Sequence, residues 1–212
     1  MVNTAPELLD LQALRQSPLN TDPFDYIVVP NFVSGAALAS VNRDYPQVPG
    51  AGSYPPSELT VGGAFADLLA ALDGPEFAAA MAEKFAIDLS SYPTMFTVRG
   101  YCRLGDGKIH PDSDSKIITV LLYLNDEWQD SSGRLRLLRS ADNLEDYVAE
   151  VPPHGGTLLA FRRCDHSWHG HEPFEGQRRA IQMNWVASDG VVRREQRRHR
   201  VSAMAKRLNP FS

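Results

Sequence analysis

IHPDSDSKIITVLLYLN, residues 109–125, falls into two halves that obey different rules. The second half, KIITVLLYLN, is rich in β-branched and apolar residues and reads as a strand. The first half sets His110, Asp112 and Asp114 at alternate positions just ahead of it. In an extended segment residues i and i+2 share a face, so His110 and Asp112 converge and can grip one ion. A nitrogen with a carboxylate oxygen suits a first-row divalent metal. One further histidine gives the two-His, one-carboxylate triad of non-haem Fe(II), whose open positions accept a cosubstrate and O₂.

The surrounding pattern decides what holds this segment. From about residue 94 the chain reads as strands: TMFTVRGYCRL alternates, DGK (106–108) is a tight turn, and GRLRLL puts Leu135 and Leu137 on one face with Arg134 and Arg136 on the other. AEV, a PPHGG turn, TLLAF and RRAIQMNWV follow. Before residue 94 the chain reads as helices: PELLDLQALRQS, SGAALASVNRDY with Ser34 as N-cap, GAFADLLAALDG and PEFAAAMAEKFAI, the last two separated at Gly74-Pro75. DYIVVPNF (25–32) is a short strand stopped by Pro30, and 51–63 is a loop. Helices followed by many short strands predict an α+β fold with a mainly β core, a sandwich or jelly roll with the N-terminal helices packed on one sheet. The expected layout is a helical portion 1–93, a β core 94–190 and a short basic C-terminal helix 191–212, all in one domain.

Net charge is −5, unevenly placed: residues 193–207 carry seven Arg or Lys against Glu195, a local +6, so the remainder carries −11. An acidic body argues against nucleic acid as a partner, and the basic tail reads as the solvated face of a helix. No apolar run approaches a membrane span, and the first residues lack a signal-peptide pattern. Cys102 and Cys164 form no disulfide framework, so the expected compartment is cytoplasmic.

A third metal donor has an obvious source. FRRCDHSWHGHEPF, residues 161–174, holds His166, His169 and His171 after a strand, and if the sheet folds back one of them can meet His110 and Asp112. A zinc site built from these histidines and Cys164 is the competing arrangement. It lacks the second Cys/His pair that closed four-ligand sites use, and it leaves His110 and Asp112 unexplained.

GYCRLGDGKIHPD, ITVLLYLNDEW, SGRLRLL, PPHGGTLLAF, SWHGHEPF and RRAIQMNW occur in an order and at spacings that resemble the Fe(II)- and 2-oxoglutarate-dependent dioxygenases, in particular the prolyl 4-hydroxylase-like branch. The resemblance runs from about Thr97 to Val186. It implies a double-stranded β-helix, a jelly-roll or cupin-like barrel. It also implies Fe(II), 2-oxoglutarate and O₂ as cofactors, with ascorbate as a stimulant. His110, Asp112 and His169 match the iron ligands, with His166 and His171 as polar neighbours and Asp114 as a turn residue. The family places a Lys or Arg nine or ten positions after the distal histidine to take the far carboxylate of 2-oxoglutarate, which from His169 falls on Arg178 or Arg179. Strand parity favours Arg178. With Arg178 inward, Ala180, Gln182 and Asn184 share its face, while Ile181, Met183 and Trp185 can pack beneath helices. The resemblance puts the Tyr123 hydroxyl beside that carboxylate and Tyr101 on the pocket wall, and Thr119, on the same strand face as Tyr123, is expected to line the pocket too.

The expected activity is hydroxylation of an unactivated C–H bond, with 2-oxoglutarate converted to succinate and CO₂. The alternative is a non-catalytic sensor or structural member of the same barrel fold. The substrate, small-molecule or peptidyl, is expected to be selected by the Asp126–Ser132 loop, the 51–63 loop and the N-terminal helices.

Overall fold

The computed structural model describes residues 8–195, 197 and 198. Two antiparallel sheets face one another, and helices cover the outside of the larger one. The elements in chain order are α1 (Leu11–Gln16), β1 (Tyr26–Val29), α2 (Gly35–Arg43), α3 (Gly63–Leu72), α4 (Pro75–Phe85), β2 (Thr94–Cys102), β3 (Lys116–Tyr123), β4 (Leu135–Leu138), β5 (Tyr147–Val151), β6 (Leu158–Arg162), β7 (His169–Gly170) and β8 (Gly176–Val186). A single 3₁₀ turn lies at Pro56–Glu58 in the 51–63 segment. The larger sheet has the order β1-β6-β3-β8-β2 and the smaller β5-β4-β7. No ladder joins the two into a closed barrel among the described residues. The early strand β1 completes the larger sheet by pairing with β6, so the helical half of the chain is tied into the β core.

β3 is apolar on both faces because both are covered. Ile118, Val120 and Leu122 point to the helices, where they meet Phe65, Leu68, Phe77, Met81 and Phe85 in one cluster with Val98, Ile181, Met183 and Trp185. The Phe77 and Trp185 rings stack at 5.9 Å. Tyr123 and Leu121 point the other way, into a smaller cluster with Leu135, Leu137, Val151, Phe161 and Ala180, which belongs to both sheets. A cavity opens between the sheets beyond that cluster.

The helices begin and end where local chemistry dictates. Asp10 caps α1 by accepting from the Ala13 N–H at 2.8 Å. Pro75 opens α4, where a missing N–H costs nothing, and Ala86 ends it in the left-handed region. Ser34 holds the N-cap position of α2, but its side chain makes no cap bond. The segment expected as a C-terminal helix, 191–212, lies mostly outside the described residues; 189–195 and 197–198 are helical. Among the described residues, no helix is long and apolar enough to cross a membrane.

Leu122 is fully buried against the helices and faces away from the cavity. Leu122→Ala is therefore expected to cost about 2–5 kcal/mol of stability, read as a lowered denaturant midpoint with an unchanged m-value.

Candidate metal centre and cosubstrate pocket

His110 and Asp112 sit on the extended segment leading into β3, and His169 opens β7. A backbone bridge joins His110 to His169, each N–H donating to the other's carbonyl at 3.1 Å. The rings lie 4.4 Å apart between centroids. One donor atom from each of His110, Asp112 and His169 lies within 4.8 Å of the others.

The donor chemistry fits a divalent ion. His110 Nδ1 lies 2.7 Å from the Lys108 carbonyl, and His169 Nδ1 lies 2.9 Å from the Ser167 carbonyl. A carbonyl only accepts, so each Nδ1 carries the proton and each Nε2 keeps its lone pair for a metal. Burial is the main force on His169 and, against the raising influence of the Asp112 carboxylate, pushes its pKa down to about 4, which leaves the ring neutral near pH 7. Asp112 is buried too, and burial alone would raise its carboxyl. The Lys116 ammonium and hydrogen bonds from Lys116 and Thr119 outweigh it and hold the group below its ordinary value.

These partners form a polar chain. Lys116 Nζ donates to Asp112 Oδ1 at 2.6 Å, and the Thr119 hydroxyl donates to Oδ2. Asn184 Nδ2 donates to Thr119 Oγ1 at 2.7 Å, and Gln182 Nε2 to Asn184 Oδ1 at 3.2 Å. Antiparallel register makes this possible, since Thr119 on β3 stands opposite Asn184 on β8. Lys116 and Asn184 were not singled out in the sequence as site residues. The inward parity of Gln182 and Asn184 was the available signal, and Lys116 looks like an ordinary strand opening.

The cavity, about 370 Å³, runs from this cluster to Arg178. Arg178 is buried; its Nε donates to the Gly133 carbonyl at 3.0 Å, and its guanidinium lies over the Tyr123 ring with Nη2 3.5 Å from the hydroxyl. Tyr123 is fully buried, and burial raises its phenol, so it stays protonated. Ala180, Gln182 and Asn184 share the cavity face with Arg178. Arg179 lies on the opposite face, its guanidinium over Tyr45 at 5.1 Å and its N–H donating to Asn125 Oδ1 at 2.6 Å.

Several expected positions differ. Tyr101 is 41% exposed and does not line the cavity. Met95, Thr97 and Arg99 do, and simple alternation would add residue 101. A register irregularity between Arg99 and Tyr101 breaks the alternation: Arg99 stands opposite Ala180, but Tyr101 stands opposite Gln177. That bulge turns Tyr101 outward. Thr119 reaches the cavity, but its hydroxyl is engaged by Asp112 and Asn184. No residue of the Asp126–Ser132 loop lines the cavity. The loop follows the far end of β3, and Gly133, next in the chain, takes the Arg178 Nε bond at the cavity floor. No residue of the described N-terminal helices α1–α4 lines the cavity; from the 51–63 loop Ser53 does, and on the metal side Val191, Glu195 and Arg198 do.

The other histidines separate. His166 is exposed, its Nε2 3.0 Å from the Pro23 carbonyl. His171 lines the cavity with its Nε2 3.9 Å from Cys102 Sγ. Burial, followed by the Arg178 charge, lowers His171 to about 4, and burial raises the Cys102 thiol to about 11. The turn ahead of His110 fits against this ring. Gly107 has φ +80°, and a Cβ there would come within 2.3 Å of the His171 imidazole, so the position needs glycine.

His169→Ala is expected to abolish binding of one equivalent of Mn(II). Thr119→Val, which keeps all three ligands, is expected to weaken it about 10- to 100-fold through the loosened carboxylate. Calorimetric titration of the folded proteins measures both.

Residues 97–187 match the family model described as the 2OG-Fe(II) oxygenase superfamily. No curated protein matches the chain. Among solved structures, a prolyl-4-hydroxylase of Pseudomonas putida superimposes with a TM-score of 0.58 at 19% identity, over 88% of this chain and 99% of the other. A prolyl 4-hydroxylase of Phytophthora capsici gives 0.56 at 15%, over 89% and 69%. The viral collagen prolyl hydroxylase of Paramecium Bursaria Chlorella virus-1, in its 2OG complex, gives 0.51 at 14%, over 77% and 96%. Residues 97–187 thus match the 2OG-Fe(II) oxygenase superfamily model, and the fold of the chain is similar to that of prolyl 4-hydroxylases.

Proposed function

We propose that this protein is an Fe(II)- and 2-oxoglutarate-dependent dioxygenase that hydroxylates an unactivated C–H bond of its substrate while 2-oxoglutarate is decarboxylated to succinate and CO₂. One observation supports this above the rest: the His110, Asp112 and His169 donors share a cavity with a buried arginine that has no carboxylate partner among the described residues. Bound Fe(II), with O₂ and 2-oxoglutarate, supplies the oxidising chemistry.

The chain's own residues bind, orient and exclude water. His110 and His169 present Nε2 because their Nδ1 protons are fixed on carbonyls. Asp112 stays ionised and oriented through Lys116 and Thr119. Three protein ligands leave coordination positions open for a cosubstrate. Arg178 holds the far carboxylate of 2-oxoglutarate, since a guanidinium stays charged when buried and forms a two-bond fork with a carboxylate. The Tyr123 hydroxyl, kept protonated, donates to the same group. No side-chain nucleophile or general base enters this scheme.

Purified protein with Fe(II), 2-oxoglutarate and ascorbate is expected to release succinate and CO₂ slowly without any added substrate. Binding of metal and 2-oxoglutarate with no such turnover would favour the non-catalytic alternative. Arg178→Ala is expected to weaken 2-oxoglutarate at least tenfold while metal affinity changes little, and Arg179→Ala to leave both near wild type. The reverse pattern would assign the carboxylate to Arg179.

A further inference from the structure

The cavity holds one cation more than a metal and 2-oxoglutarate require. Lys116 is closed on Asp112 at 2.6 Å. Arg178 lies at the floor beside Tyr123. Arg99 remains. It lines the same cavity from β2, half-buried, and among the described residues its guanidinium makes one hydrogen bond, from Nε to Ser53 Oγ at 2.9 Å. Among the described residues, no carboxylate lies within ion-pair distance of it. Asp106 shares the cavity and acts on Arg99 through space without pairing, and its Oδ2 accepts from the Arg103 N–H.

Placement of Arg99 follows from the strand. Arg99 stands opposite Ala180, one inward position from Arg178, and the bulge that follows turns the next expected inward side chain out to solvent. Ser53 holds the guanidinium beneath the 51–63 loop, which is bridged to β2 where Tyr54 pairs with Val98. Burial, and then the Arg178 charge, depresses Arg99 below its ordinary pKa. Two guanidinium groups facing one cavity destabilise each other until anions settle between them. 2-Oxoglutarate brings two carboxylates, and in the reading above each has a place: one at the metal, one on Arg178. Arg99 is left facing a position that neither end of the cosubstrate fills.

We infer that Arg99, held by Ser53, anchors a carboxylate of the substrate, so that the enzyme acts on a carboxylic acid rather than on a neutral group. The inference rests on the proposed function, because it assigns 2-oxoglutarate to Arg178. The carboxylate belongs either to a free organic or amino acid or to the free end of a peptide; the chemistry at Arg99 is the same.

Binding to protein loaded with Mn(II) and saturating 2-oxoglutarate tests it, read by calorimetry and by Mn(II)-enhanced proton relaxation of the ligand. The probes are propionate, benzoate and L-proline, each against its primary amide, and a short peptide with a free C-terminus against its amidated form. At least one acid is expected to bind tenfold or more tightly than its amide, and the pair that shows this identifies the source. Arg99→Leu should weaken that acid more than tenfold and 2-oxoglutarate less than threefold, with Arg99→Lys recovering part of the loss. Equal binding of acids and amides, or no binding of either, overturns the inference. So does an Arg99→Leu protein whose 2-oxoglutarate affinity falls as far as its acid affinity, which would make Arg99 a cosubstrate residue. If wild-type protein fails to bind Mn(II) and 2-oxoglutarate at all, the parent reading falls and takes this one with it.

Discussion

The antiparallel pairing of β3 with β8 is the constraint on which the remaining architecture depends. It places Thr119 opposite Asn184, Val120 opposite Met183 and Tyr123 opposite Ala180. One face of the pair becomes the apolar floor for the helices and the other the wall of the cavity. A slip of one residue would exchange the faces, burying Asn184 and Gln182 beneath the helices and turning Trp185 and Met183 into the site. Packing and chemistry are thus enforced by the same register. The energy that fixes it comes largely from the helix side, where Phe77, Met81 and Phe85 meet Ile181, Met183 and Trp185. Each such burial is worth about 1.5–3 kcal/mol.

The cavity places its charges in a definite order. At one end a carboxylate and two imidazoles are placed for a cation, the carboxylate held ionised and the buried His169 neutral. Toward the other end, two guanidinium groups await anions. The arrangement costs stability, since buried like charges repel and His169 and His171 are kept neutral chiefly by desolvation. Such costs are expected at a site built to bind, where local strain is offset by a large core elsewhere.

Much of this was legible in the sequence where chemistry follows a simple period. The alternation of His110 and Asp112, the two-faced run of β3 and the inward parity of Arg178 are all consequences of a strand's two-residue repeat. The pairing of His169 with His110 required a fold to bring distant segments together, and only the resemblance to a family of known architecture supplied it. What stayed hidden lay where the period breaks. The bulge in the β2–β8 ladder places Tyr101 outside and leaves Arg99 as the last inward residue of its run, a change that no pattern in TVRGYCRL announces. The Asp126–Ser132 loop follows the end of β3 that carries Tyr123, away from the metal donors, and none of its residues lines the cavity. Lys116 passed unnoticed because a lysine at the start of a strand has no distinguishing context until Asp112 is seen beside it.

Cys102 is buried behind His171, which lines the cavity; under the proposed oxygenase chemistry this would be a hazardous neighbourhood for sulfur. The form that oxidants attack is the thiolate, and desolvation lifts this group to about 11, so at neutral pH almost none is present. The neighbouring imidazole, itself held neutral, offers no charge to draw the proton off. The same burial that sharpens electrostatics around the ligands therefore keeps the buried cysteine among the described residues in its less reactive thiol form.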